Sequence, residues 1–146
     1  MKVCLTCSAG GHLTEMLQLK DFYKKHDYFF ITFKRKDSET LLDKKYFVVC
    51  PRRNPLKLLV SFFQSLKILL KEKPDLIVST GADVTVPVCF IGKLMGRKIV
   101  FIESFCRPLK PGISGKLVHP IADLFIVQWK EMLKFYPKAV YGEWIF

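Results

Sequence analysis

Short, mostly apolar runs recur along the chain at 2–7, 28–33, 46–50, 75–79, 98–102 and 123–128, with a shorter one at 139–141. Each is too brief for a helix and reads as a buried strand. Between them lie segments with helical spacing. Residues 12–26 place Leu13, Met16, Leu17 and Leu19 on or near one side. A charged turn at 34–37 leads to a short helix through Asp43, capped by Asp37 or Ser38. Asn54 followed by Pro55 is a helix-start signal, and Pro74 sets the end of a long helix near Lys73. Residues 84–95 are apolar almost throughout, as in a buried helix, with Gly96 closing it. A further short helix is expected at 129–136, and 105–120, rich in Pro, Gly and Lys, reads as irregular.

Apolar strands alternating with helices imply an α/β fold: a Rossmann-like, doubly wound parallel sheet with helices on both faces. At 146 residues, with no linker or repeat, the expectation is a single domain over 1–146. Ligands of such sheets sit beyond the carboxyl ends of the strands. That rule selects residues 8–12, 80–83 and 103–107 together with Gln128, all along one edge.

Composition changes this picture in two ways. Twenty-four basic residues against 13 acidic ones give +11, which points to a polyanionic partner or a lysine-rich solvated surface. The basic residues are scattered and no recognition motif accompanies them, so nucleic acid is not expected as a partner. The five cysteines fall mostly inside apolar runs and read as reduced core thiols. Cys4 and Cys7 are three apart in a strand, on opposite faces, so they make no redox pair. No Cys/His spacing fits zinc, and neither a metal nor a cofactor is expected. Met1-Lys2 leads straight into the first strand, without a leader, and no apolar run is long enough to span a bilayer. The expected location is cytoplasmic.

The loop Ser8-Ala9-Gly10-Gly11-His12 lies between the first strand and the first helix. There helix-start N–H groups can face an anion, glycines admit a phosphate closely, and Ser8 can accept a bond from the first turn. Taken alone, a Gly-Gly turn reads first as a tight connection with a surface histidine. Thr80 and Gly81 form a second glycine turn after a strand. Asp83 is expected to cap the helix that follows. Three roles stay open for Glu103: general base, acceptor for sugar hydroxyls, or partner of Arg107, which itself can hold a phosphate bidentately. His26 and His119 read as surface residues and Trp129 as core. The helix after Asn54 carries more apolar residues than one stripe needs, with a basic rim that includes Arg52 and Arg53. One face is expected on the sheet, with Phe62 or Phe63 at lipid or a partner chain.

Four motifs, in order and spacing, carry a resemblance over nearly the whole chain. They are Cys7-Ser-Ala-Gly-Gly-His-Leu-Thr-Glu-Met16, Ser79-Thr-Gly-Ala-Asp83, Phe101-Ile-Glu-Ser-Phe-Cys-Arg107, and the stretch from Gly115 to Trp129. Together they resemble the acceptor and membrane-anchor subunit of the two-chain UDP-N-acetylglucosamine transferase of dolichol-linked N-glycan synthesis. They are also similar to its bacterial capsule and exopolysaccharide counterparts of the PssD and EpsE kind. The resemblance implies the N-terminal half of a GT-B glycosyltransferase, facing a polyprenyl-pyrophosphate-linked acceptor. A separate donor-binding subunit would form a heterodimer with it and supply most of the UDP-sugar site. Inverting, metal-free transfer would take place in the cleft between them.

By likeness to the peptidoglycan GlcNAc transferase, Gly10, Gly11 and His12 would cradle the lipid-linked phosphates, with Ser8, Thr80, Gly81 and Arg107 nearby. His12 or Glu103 would be the base. Eukaryotic members carry an N-terminal membrane anchor not seen here, so attachment would be peripheral, at the cytoplasmic face. The loop 108–112, His119 and Lys130 depart from the family pattern. Two other readings stand beside this one: a non-catalytic membrane scaffold, and a small nucleotide-binding Rossmann enzyme. The latter lacks both the full G-x-G-x-x-G and an acidic residue after the second strand.

Overall fold

A computed structural model describes residues 1–143 and 145. The strands are β1 (Lys2–Cys7), β2 (Asp27–Thr32), β3 (Lys45–Phe47), β4 (Leu76–Gly81), β5 (Lys98–Ile102), β6 (Leu124–Val127) and β7 (Val140–Tyr141). The helices are α1 (Gly11–Gln18), α2 (Lys20–Tyr23), α3 (Lys36–Glu39), α4 (Pro55–Glu72), α5 (Thr85–Leu94) and α6 (Ile113–Val118), with a 3-10 turn at Lys130–Lys134. All seven strands join one sheet, in the order β3-β2-β1-β4-β5-β6-β7. Every pairing is parallel. The expected Rossmann-like architecture is therefore present. The order reverses between β1 and β4, and the register slips there between Thr6 and Cys7.

Alternate residues of the strands feed two cores. Cys4, Phe29, Ile77, Ile99 and Phe101 face α4 and α5, while Val3, Leu5, Cys7, Phe30 and Val78 meet Leu13, Met16 and Tyr23 of α1 and α2. Each fully buried Ile or Phe contributes about 1.5–3 kcal/mol. Cys4 and Cys7 thus lie on opposite faces, as expected of a strand. Burial raises both thiols above their ordinary range.

Asn54 caps α4 as expected, its Oδ1 accepting from Leu56 N at 3.0 Å and Lys57 N at 3.1 Å, with Pro55 in the first turn. Other local readings are corrected. One helix was expected over 12–26, but the chain turns at Leu19 (ψ 14°) and restarts as α2. Neither Asp37 nor Ser38 is the N-cap of α3, which is Arg35. The stretch read as irregular contains α6. Its interior Gly115 is required because any Cβ there would overlap the Glu103 carboxylate and the Tyr136 hydroxyl. His119 is not a free surface residue, since its ring packs on Phe125 and Tyr136 at 5.0 and 5.1 Å. Burial, and Lys138 nearby, lower its pKa.

Candidate functional site

Because β1 and β4 are neighbours at the reversal point, the loops that follow them meet. Thr80, at the end of β4, holds His12, the second residue of α1, from both sides. His12 Nδ1 lies 2.7 Å from the Thr80 carbonyl, and Thr80 Oγ1 donates to the His12 carbonyl at 2.8 Å. A carbonyl only accepts, so Nδ1 carries the proton and Nε2 is left as the acceptor. His12 lines a cleft of about 230 Å3 together with Ser8, Arg53, Asp83, Glu103 and Arg107.

The expected residues sort into two groups around this cleft. Ser8, His12, Glu103 and Arg107 line it, whereas Thr80 and Gly81 are buried behind the imidazole. The Gly81 amide is bonded to Ser79 Oγ at 3.1 Å. Gly10 adopts φ 94°, and its N–H donates to Asp37 Oδ2 at 2.6 Å. The Gly10 amide is therefore already occupied and is not among the helix-start N–H groups open to an anion. Gly11 is exposed, with open space where a Cβ would stand. Ser8 caps nothing, because the N-cap of α1 is Gly10. Nor does Asp83 cap α5, whose N-cap is Val84. Its carboxylate lies on the cleft wall, without a hydrogen bond among the described residues.

Glu103 is 3 % exposed at the end of β5. Its Oε2 accepts from the Tyr136 hydroxyl at 2.7 Å and from Gly112 N at 3.3 Å, and Oε1 accepts from Ser104 N at 3.3 Å. Burial and these contacts push the Tyr136 hydroxyl well above its ordinary range. The carboxylate thus ties the loop after β5 to α6 and to the 3-10 turn.

Sequence reasoning missed Glu15, which clamps the same loop from the other side. Its Oε1 accepts from Ser104 Oγ at 2.7 Å and from Phe105 N at 3.0 Å, while Oε2 lies 3.6 Å from His12 Nδ1. The available signal was its i,i+3 spacing from His12 on one helix face. On α4, Phe63 is 59 % exposed, whereas Phe62 is partly buried and packs on the core. Arg53, expected at a membrane rim, lines the cleft.

Fold and cleft together define the class, a Rossmann-like α/β protein built like one half of a GT-B glycosyltransferase. MurG of Acinetobacter baumannii superposes with a TM-score of 0.72 at 16 % identity, over 87 % of this chain and 41 % of that one. The family model "Oligosaccharide biosynthesis protein Alg14 like" matches residues 51–145, and the chain belongs to that family. It is 28 % identical to the mouse UDP-N-acetylglucosamine transferase subunit ALG14, over 97 % of this chain and 81 % of the relative. A Clostridium perfringens UDP-N-acetylglucosamine–N-acetylmuramyl-(pentapeptide) pyrophosphoryl-undecaprenol N-acetylglucosamine transferase is 36 % identical over 63 % of this chain and 25 % of its own length.

Proposed function

We propose that this chain is the acceptor-binding subunit of a glycosyltransferase that moves a sugar from a UDP-sugar to a polyprenyl-diphosphate-linked acceptor. It works with a donor-binding partner chain and attaches peripherally to the cytoplasmic face of a membrane. Family membership and the activities for which the relatives are named support the reaction class. The observation that carries the reading is His12, whose tautomer is set by Thr80 in a cleft that also holds two arginines.

In this reading an acceptor sugar hydroxyl attacks the donor's anomeric carbon. The carbon–oxygen bond to UDP breaks, with its electron pair leaving on the diphosphate, and the hydroxyl proton passes to His12 Nε2. Arg53 and Arg107 hold the acceptor phosphates, and Asp83, a carboxylate without an internal partner, accepts from sugar hydroxyls. Glu103 suits the base role less well, since three donors already occupy its oxygens. It positions the loop that carries Arg107.

The test is transfer by the reconstituted pair of chains. His12→Ala lowers the rate by about 10^2–10^4-fold with the complex intact by size exclusion, the range of a lost general base. Wild-type rates in that variant would overturn the base assignment and favour a scaffold that only recruits its partner.

A further inference from the structure

The cleft does not end at Arg53. A second cavity, about 250 Å3, opens on the far side of that residue, lined by Pro55, Leu58, Val86, Ile113 and Leu117. It shares Arg53, Asp83 and Ile113 with the polar cleft, so the two adjoin at these residues. Leu58, Ile113 and Leu117 are each about half exposed. An apolar groove leading out of an arginine-bearing cleft complements a ligand with an anionic head and a hydrocarbon tail.

The backbone at the junction supplies a second, independent observation. Arg52 has φ 45° and Arg53 φ 58°, and Asn54 N closes the turn on Pro51 O at 2.9 Å. Left-handed φ at both central residues is the arrangement usually given to Asn-Gly, because a Cβ there is strained. Ala82, which also lines the cleft, has a positive φ of 87°. Of the four non-glycine residues with positive φ among the described residues, only Lys73, which ends α4, lies away from this region. Strain retained at Arg53, which lines both cavities and where glycine would relieve it, marks a side chain kept for what it touches.

We propose that Arg53 stands at the head–tail junction of an isoprenyl diphosphate, its guanidinium on the diphosphate and the first isoprene units in the groove of Leu58, Val86, Ile113 and Leu117. This rests on the acceptor-binding reading above and adds a site for the tail. Asp83 lines both cavities beside Arg53, a like charge to the diphosphate that the guanidinium offsets.

Binding of inorganic pyrophosphate and of farnesyl diphosphate to the full chain, by calorimetry, tests it. Farnesyl diphosphate binds at least about tenfold tighter than pyrophosphate, the increment of a few buried methylenes. Leu117→Asp removes that increment and leaves pyrophosphate affinity unchanged. Arg53→Gly weakens both ligands about tenfold or more, yet raises the melting temperature by about 2–4 °C as the left-handed strain is relieved. Arg52→Gly raises it similarly with both affinities intact.

Equal binding of the two ligands overturns the groove while leaving the diphosphate seat and the acceptor reading in place. Loss of the increment through Phe63→Asp rather than Leu117→Asp also overturns it, by putting the tail on the outer face of α4. If neither ligand binds while His12→Ala still abolishes transfer, the junction is wrong and the transferase reading stands.

Discussion

The most constrained residue near the cleft is Glu103. Three donors surround its carboxylate, and Gly115 leaves room for it by having no side chain. Gly115→Ala therefore costs about 1–3 kcal/mol, the usual penalty for overpacking a closed interior, read as a lower urea midpoint. An unmoved midpoint would mean that the carboxylate has slack the geometry does not show. Legibility at this scale divides by chain separation. His12 was recognisable from the glycines before it, and Glu15 could have been, three residues on along the same helix. Thr80 as the partner of His12 was not, because 68 residues separate them and only the β1–β4 pairing brings them together. Arg53 was read as part of a basic rim, since nothing in its neighbours announces a left-handed turn without glycine.

Among the elements, α4 mixes polar with apolar residues on its inner face and leaves further apolar ones outside. Its buried positions are Ser61, Ser65, Leu69 and Glu72, with Leu56, Leu59, Phe63 and Leu70 outside. Both serines are fully buried, with hydroxyls that have no hydrogen-bond partner among the described residues. At the end of the helix, Glu72 gathers Lys2 at 2.6 Å, Lys44 at 2.8 Å and the Tyr46 hydroxyl, tying α4 to β1 and β3. Burial alone would raise this carboxyl, but the three hydrogen bonds outweigh it and hold the pKa down at about 2 against an ordinary 4.5. The folded state then binds fewer protons than the unfolded chain below pH 4.5. The contribution is complete above that pH and drains away as pH falls toward 2. The expected loss is about 2–3 kcal/mol over that window, followed by urea unfolding. Glu72→Gln should be less stable at neutral pH and show a flatter acid limb, whereas a limb as steep as wild type would place the titration elsewhere. Strong elements such as α4 were legible in the sequence because Asn54-Pro55 and Pro74 bracket them. By contrast α6 was hidden, having six residues, an internal glycine and no periodicity of its own; it forms because Glu103 and Tyr136 pack against it.

For the molecule as a whole, the alternation of apolar runs and helical segments was enough to specify a parallel sheet, but not the order of its strands. That order decides function, because only a reversal between β1 and β4 assembles the cleft. The same architecture leaves the outer face of α4 uncovered, where Leu59 and Phe63 stand exposed on a helix that also carries Lys57, Lys67 and Lys71. Among the described residues no helix is long and apolar enough to cross a membrane. In the proposed reading, attachment to lipid comes from surface apolar residues acting with charge, and the chain carries +11. Each basic residue near an anionic surface contributes about 1 kcal/mol, and an inserted Phe about 1.5–3 kcal/mol. Flotation with vesicles containing anionic lipid should therefore recover the chain at low salt and lose about tenfold or more of it by 0.3 M, as screening shortens the field. Vesicles of zwitterionic lipid should recover little. The double variant Leu59→Glu with Phe63→Glu should abolish recovery while shifting stability by only about 0.5 kcal/mol per site, since both side chains already face solvent. Equal recovery on both lipids, or undiminished recovery of the double variant, would move the attachment surface away from α4.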